Sequence, residues 1–401
     1  MAILLIAIIG AVAFLLSALK SSTLQIARDK VTADALAKAK DALISYAVTY
    51  GDTHPGQAYG YLPSPDPNGI AGLNGEGSSE TWGNANVSAI GRLPWKTLDL
   101  PPLRDGNGEC LWYAVSGTYK NNPPPTYTLM NWDNYGLFQI FAATGVPLTG
   151  ATPDLYAVAA VFSPGVALSG QNRSSDGSAP ICGGNYTASN YLDQDNSIFA
   201  NNAAPSASAN ALSNFYIAGA TANINDQIIY ITRSDIFNAI KKRNDFATFV
   251  SSMLSDATAN LSLPTLPTPV FLTFTNTTAL TETPNNINIG NLYIGKIPKA
   301  YFSPPHLNQY QNWQDNLQYA KCTPASGSCL TVNGSSCRGV VIFTGERNAT
   351  QTRITSTNKN AYSNYLEGSI YGQFGTGGTS YAGASLYNPA STSTDVLACV
   401  L

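Results

Sequence analysis

The sequence predicts an α+β chain: a long N-terminal α-helix, hydrophobic in its first half and amphipathic in its second, carrying a globular head built on a mainly antiparallel β-sheet with signs of duplication. Three observations predict it. Residues 1–19 carry no charge at all. A helical spacing of apolar residues runs on from them to about Tyr50. Beyond it, short aromatic and β-branched runs bounded by turn residues occur twice in the same order.

A run of about twenty apolar residues spans a bilayer, and Met1 to Leu19 reaches that length if Ser17 is tolerated. After Lys20, Leu24, Ala27, Val31, Ala35, Leu36, Ala39, Leu43 and Ala47 recur at three- and four-residue steps, while Arg28, Asp29, Lys30, Lys38, Lys40 and Asp41 take the other faces. This second half should lay its stripe on the head. Gly51, followed by Asp52 and His54-Pro55, is the expected stop. A secretory signal would open on basic residues and close on a small-residue cleavage site. Here the run starts at Met1 and ends in Leu19-Lys20-Ser21-Ser22, so it reads as retained. A plain single-span anchor with a helical stalk is the simpler alternative, but nothing basic precedes residue 20 to orient it.

The segment from Met1 to Val48, about an eighth of the chain, resembles the mature N-terminus of the type IV pilin and pseudopilin superfamily. The resemblance implies a subunit cut from a basic leader by a prepilin peptidase and methylated at the Met1 amine. It implies residence in the bacterial inner membrane before assembly, then packing with copies of itself in an extracellular filament or a periplasmic pseudopilus. Met1, Leu4, Leu5, Ile8, Ile9, Val12, Leu15 and Leu16 would form the filament core, and pilus or secretion machinery would drive assembly. The function expected is therefore a structural subunit of an extracellular type IV pilus-like filament with its head exposed. Leu5 departs from the pattern, because most members carry there a glutamate thought to neutralise a neighbour's terminal amine. A buried ammonium without such a partner is costly. In the family, minor subunits at a filament tip are the usual exceptions. A minor tip pseudopilin of a type II secretion or pilus machine, or a membrane-anchored adhesion protein, is accordingly the alternative.

The head divides into a first α+β unit over 52–257, a Pro/Thr-rich linker over 258–290 and a second, repeat-like unit over 291–401, after the helix over 1–51. The Pro- and Gly-rich stretch from Leu62 to Gly77 reads as an ordered loop over the helix. Asp105-Gly106-Asn107-Gly108 feeds a strand at Cys110–Val115, and a buried strand follows at Leu155–Gly165. Gln171-Asn172-Arg173 and Asn190-Tyr191-Leu192-Asp193 come next. They are echoed by Gln351-Thr352-Arg353 and Asn364-Tyr365-Leu366-Glu367, after a second strand at Val340–Gly345. Arg173 with Asp193, and Arg353 with Glu367, are expected to be structural ion pairs. Ser234 is placed to cap a helix running through Ile236 to Met253, and Gly372 to Gly383 reads as a surface loop.

Only 11% of residues are charged, and a net charge of -3 offers no basic surface for nucleic acid, so that partner is excluded. The cysteines, Cys110, Cys182, Cys322, Cys329, Cys337 and Cys399, show no Cys-x-x-Cys spacing, and only His54 and His306 could join them. Disulfides in an oxidising compartment are the expectation, with pairing left open. Two histidines in no catalytic motif, and no phosphate-binding glycine loop, argue against an enzyme. No cofactor is expected. Calcium is the one ion that Asp193, Asp195 and Ser197, or the turn Asp66-Asn68-Gly69, could take, and neither cluster completes a ligand loop.

Overall fold

The computed structural model describes residues 2–67, 75–79, 87–121, 129–193, 196, 213–217, 223–275, 278–285, 287–323, 327–391 and 395–401. For residues 2–21, 213, 274–275 and 278–280 it describes the backbone alone. The apolar run and the amphipathic stripe form one unbroken helix, α1 (Ala2–Thr53), which ends two residues beyond Gly51. Its stripe divides at Thr32. Ala35, Leu36, Ala39, Leu43, Ala47 and Tyr50 are buried against the head, whereas Leu24 and Val31 of the stripe are 62% and 50% exposed, as is Ile26 on the opposite side of the helix at 66%. Helical periodicity therefore continues past the point where the head supplies a partner.

The first sheet contains β1 (Ala89–Arg92), β2 (Trp112–Val115), β3 (Phe138–Phe141), β4 (Ala157–Ser163), β5 (Ser213–Tyr216) and β6 (Gln227–Thr232). Its antiparallel path runs β1-β2-β4-β6, with β3 and β5 added beside one end of β4. β4 is buried throughout because it is covered on both faces. Val158 and Val161 join the cluster that holds α1, while Ala160 and Phe162 pack with Trp112, Phe138 and Phe215 on the other side.

After α2 (Arg233–Lys241) and α3 (Phe246–Leu261), the second sheet assembles from β7 (Val270–Thr275), β8 (Thr278–Pro284), β9 (Asn288–Ile289), β10 (Leu292–Lys296), β11 (Leu317–Cys322), β14 (Gly339–Phe343) and β16 (Val396–Val400). Its antiparallel path β10-β11-β14-β16 matches β1-β2-β4-β6 strand for strand. α3 lies over it as α1 lies over the first sheet: Leu317, Tyr319, Val341 and Phe343 share a cluster with Val250, Met253 and Leu254. A third sheet joins β12 (Leu330–Val332), β13 (Ser335–Cys337) and β15 (Ser380–Tyr381). Short helices α4 (Leu307–Gln311), α5 (Ser356–Asn360) and α6 (Gly368–Thr376) complete the described residues.

The α+β class with one sheet-based head is corrected by this architecture. The chain is mostly β-sheet, with sixteen strands in three sheets and six helices among the described residues. The excess strand comes from polar segments such as Thr278–Pro284 and Ser335–Cys337, whose sequences lack an apolar alternation and whose conformation is set by the strands they pair with. Residues 270–275 and 278–284, inside the segment expected as a linker, pair as the antiparallel strands β7 and β8. The helix expected from Ser234 is two helices. Thr232, not Ser234, caps α2 in a reciprocal box with Asp235, and Arg243 sits in the break, bonded to Asp52 and Asp245. The Gly372–Gly383 loop is in part α6, closed by Gly377 in the left-handed conformation at φ 70°, and in part β15.

Six cysteines pair as Cys110–Cys182, Cys322–Cys329 and Cys337–Cys399, two of them closing sequence separations of 72 and 62 residues. The head first grips α1 at the turn after Arg104. There the Gly106 N–H donates to Thr32 Oγ1 at 2.9 Å, and a Cβ on Gly106 would stand 2.2 Å from the Arg28 carbonyl oxygen. Asp105 holds this turn to the end of β4 by accepting from Ser163 Oγ and from the Gly165 N–H.

Two stability measurements follow. Gly106→Ala is expected to lower thermal stability by about 1–3 kcal/mol, because the turn must leave the helix backbone; an unchanged Tm would refute the close approach. Replacing Cys110 and Cys182 together by serine should cost about 2–4 kcal/mol in denaturant unfolding, since the bridge closes a long loop.

Candidate functional site

Three sets of residues were candidates: the helix core, the arginine loops and the acidic clusters. Met1 lies outside the described residues, and so do the side chains of Leu4, Leu5, Ile8, Ile9, Val12, Leu15 and Leu16. Their backbone from residue 2 is helical and continuous with α1. Among the described residues no helix is long and apolar enough to cross a membrane.

The arginine loops are built twice to one plan. Arg173 Nε donates to the Asn190 carbonyl at 2.9 Å, Nη1 to the Gly165 carbonyl at 2.8 Å and Nη2 to Gln171 Oε1 at 2.7 Å. Arg353 makes the same three bonds to Asn364, Gly345 and Gln351, at 2.6, 3.0 and 3.0 Å. Each guanidinium lies over the ring of the tyrosine that follows the asparagine, Tyr191 at 5.1 Å and Tyr365 at 4.1 Å. Their ionic partners differ from those expected. Arg173 pairs with Glu109 and Arg353 with Asp133, while Asp193 and Glu367 instead accept from Gln171 and Gln351. The fork geometry of arginine is taken up by carbonyls, so these loops are fastened as structure.

Around Arg353 lies a buried charge network that nothing in the local sequence announces. Arg353 Nη1 meets Asp133 Oδ2 at 3.0 Å, both side chains being only 1% exposed. Lys359 Nζ donates to Asp315 Oδ2 at 2.7 Å, Asn131 Nδ2 to Asp315 Oδ1 at 2.6 Å, and Trp132 Nε1 to Asn316 Oδ1 at 2.9 Å. Burial works against the Asp133 carboxylate, yet Arg353, with Lys359 and Arg233, holds it below its ordinary range. Lys296 donates to the Asp315 carbonyl and stands over the Tyr365 ring; burial pushes its amine well below the usual lysine range, with the Asp315 charge opposing.

Each arginine loop also covers a carboxyl that precedes the last strand of its sheet. Asp226 accepts the Asp193 N–H on Oδ2 at 2.9 Å, and Asp395 accepts the Gly345 N–H on Oδ1 at 3.2 Å. Among the described residues, Asp226 Oδ1 and Asp395 Oδ2 have no hydrogen-bond partner. Burial, aided by the Asp193 charge, pushes Asp226 up to about 8; burial, aided by Glu367, pushes Asp395 up to about 7. Sequence reasoning missed both. The only available signal is an aspartate immediately before an apolar run.

The expected calcium clusters lie in part outside the described residues. Asp195, Ser197, Asn68 and Gly69 lie outside the described residues. Asp66 is occupied by the Gly77 N–H and Tyr186 hydroxyl, and Asp193 by Gln171 and the Asn225 N–H. No group of three or more His, Cys, Asp or Glu is arranged to hold a metal among the described residues. His54 stacks on Tyr50 with ring centroids 4.0 Å apart and its Nδ1 lies 2.9 Å from the Thr53 hydroxyl, while His306 Nδ1 faces Gln309 Oε1 at 3.2 Å. No protein-family model matches this chain, and no similar curated protein or solved structure is found.

The raised carboxyls set a pH dependence. Asp226 and Asp395 keep their protons in the fold to about pH 8 and 7 but release them near 3.8 when unfolded. Their contribution is therefore complete below about pH 4 and is lost as pH rises through 7 and 8, at about 1.4 kcal/mol per pH unit for each group. Tm should fall between pH 5 and pH 8, and the double variant Asp226→Asn/Asp395→Asn should flatten the profile. A Tm that climbs over this range in the parent chain would reject the assignment.

Proposed function

We propose that this chain is a structural subunit of an extracellular type IV pilus-like filament, polymerising through α1 with the head outside. The observation that carries the proposal is the division of α1 at Thr32. Below it the apolar stripe is spent on the head. Above it Leu24 and Val31 of the stripe, and Ile26 on the opposite side, stay exposed on an intact helix that leads into nineteen uncharged residues. Apolar side chains left uncovered on a rigid rod need a further partner. A second copy offers the same stripe, and a heterologous repeat of that contact builds a fibre without closing.

The remaining architecture suits this role. Three disulfides and a core shared by both sheets make the head a rigid body, and its grip on α1 begins at the turn carrying Gly106. Placement in the inner membrane before assembly, leader removal and the assembly machinery belong to the same proposal. Leu5 is the specific observation that favours the second reading, a minor subunit at the tip of a pilus or secretion pseudopilus.

Electron microscopy of filaments sheared from producing cells, with mass spectrometry of the N-terminal peptide, decides between them. Long filaments made chiefly of this chain are expected, and trace incorporation would favour the tip subunit. Leu24→Asp/Ile26→Asp should reduce filament yield at least about tenfold while changing head stability by less than about 0.5 kcal/mol, because both side chains are exposed. Filaments of normal length and number from that variant would remove the helix-packing proposal.

A further inference from the structure

The two units align through their strand registers. Trp112 pairs with Phe162 in the first and Gln318 with Ile342 in the second, and the arginines that follow bind Gly165 and Gly345. On that alignment the segment leading into β2 corresponds to the one leading into β11, and the loop from Arg173 to Asn190 to the shorter loop from Arg353 to Asn364. In the first unit these two segments are joined covalently by Cys110–Cys182. In the second, Lys359 of the loop reaches Asp315, just before β11, with Nζ 2.7 Å from Oδ2. The disulfides of the second unit lie elsewhere, at Cys322–Cys329 and Cys337–Cys399. One fastening point is thus a cross-link in one copy and a lysine–aspartate contact in the other.

That contact is dry, and both oxygens of its carboxyl carry a donor. The Lys359 and Asp315 side chains are 5% and 0% exposed. Among the described residues the other lysine pairs, Lys30–Asp34, Lys40–Asp235 and Lys241–Glu346, have carboxylates 57%, 32% and 42% exposed. Asn131 Nδ2 donates to Asp315 Oδ1 at 2.6 Å, and the Tyr365 hydroxyl donates to Oδ2 at 3.3 Å. Lys296 donates to the Asp315 main-chain carbonyl, so Lys359 is the amine on the carboxyl. A nitrogen at that distance from one carboxyl oxygen lies within about 4 Å of the carboxyl carbon. Holding the two groups there replaces an encounter in water by a step within one molecule. Keeping two ions out of water is costly, and an amide between them leaves neither.

We propose that Lys359 and Asp315 join in an intramolecular amide, a covalent tie at the place the disulfide holds in the first unit. A proton passes from Nζ to Oδ2, and the neutral amine attacks Cγ. As the C–N bond forms, negative charge gathers on Oδ1, where the Asn131 amide already donates. Nζ then gives up a second proton to Oδ2, the Cγ–Oδ2 bond breaks beside the Tyr365 hydroxyl, and Oδ2 leaves as water while the Cγ–Oδ1 double bond re-forms. One water is lost, and no oxidant, cofactor or second substrate takes part. Asn131 belongs to the first unit, so the reaction waits until the two units have docked. The bond does not depend on filament formation.

The test is peptide mass spectrometry of the full chain, purified in detergent from producing cells, reduced, alkylated and digested with trypsin. Trypsin should fail to cut after Lys359, and a branched peptide should join the Asp315 and Lys359 segments at the mass of their sum less one water. Cleavage after Lys359, with two linear peptides of full mass, would overturn the proposal. Lys359→Arg keeps the charge pair but removes the amine, so its Asp315 peptide should be linear and of full mass. A water missing from that peptide in the variant would also overturn the proposal, because it would mark a dehydration that Lys359 takes no part in. Neither reading depends on the stability of the variant, since the parent chain carries the primary result.

Discussion

The buried pair of Arg353 and Asp133 ties the first unit of the head to the second. Asp133 comes from the first unit and Arg353 from the second, and they meet where both are almost completely excluded from solvent. Such a pair contributes modestly while intact, because desolvation offsets attraction, but losing one partner strands a buried charge at a cost of about 3–5 kcal/mol. Asn131, Trp132, Asn312 and Asn316 surround it with directed bonds, so the segment from Met130 to Asp133 has one way to enter the second unit. Trp132 then stacks edge-on with Trp313 at 4.6 Å, and the apolar core becomes continuous across the join.

That continuity explains how a chain with few charges builds a rigid head. Each antiparallel sheet is covered by a helix on one face and by an arginine loop with its Tyr-Leu pair on the other. Helix α1 performs the first task for one sheet and α3 for the other. Only α1 extends beyond its sheet, so the same packing principle leaves one helix enclosed and the other with a bare apolar end. The asymmetry between repeated parts recurs at the loops, where identical arginine contacts support a disulfide-bonded loop in one unit and a loop that sets Lys359 on Asp315 in the other.

Much of this was legible before any coordinates. The helix spacing names the residues that α1 buries from Ala35 to Ala47, the strands at Trp112–Val115 and Ala157–Ser163 fall within their aromatic and β-branched runs, and that at Gly339–Phe343 overlaps its run from Val340. The arginine loops could be located through their order, because Gln-x-Arg and Asn-Tyr-Leu are local strings. Their partners could not. Arg353 reaches Asp133 across a separation of 220 residues, and no local pattern encodes that distance. The polar strands β8 and β13 were equally hidden, since they are strands by virtue of neighbours and carry no periodic apolar face.

By itself the sequence determined what short-range physics can determine: a continuous helix with a changing character, the buried strands whose side chains leave no other conformation favourable, and cysteines even in number. Tertiary structure alone decided where the helix stops being covered, which acid meets which arginine, how the six cysteines pair, and that Asp226 and Asp395 are buried carboxyls. The reason is that burial and pairing are properties of packed surfaces brought together from distant segments. Hydrogen-bonded turns and side-chain periodicity, by contrast, are written over a handful of adjacent residues.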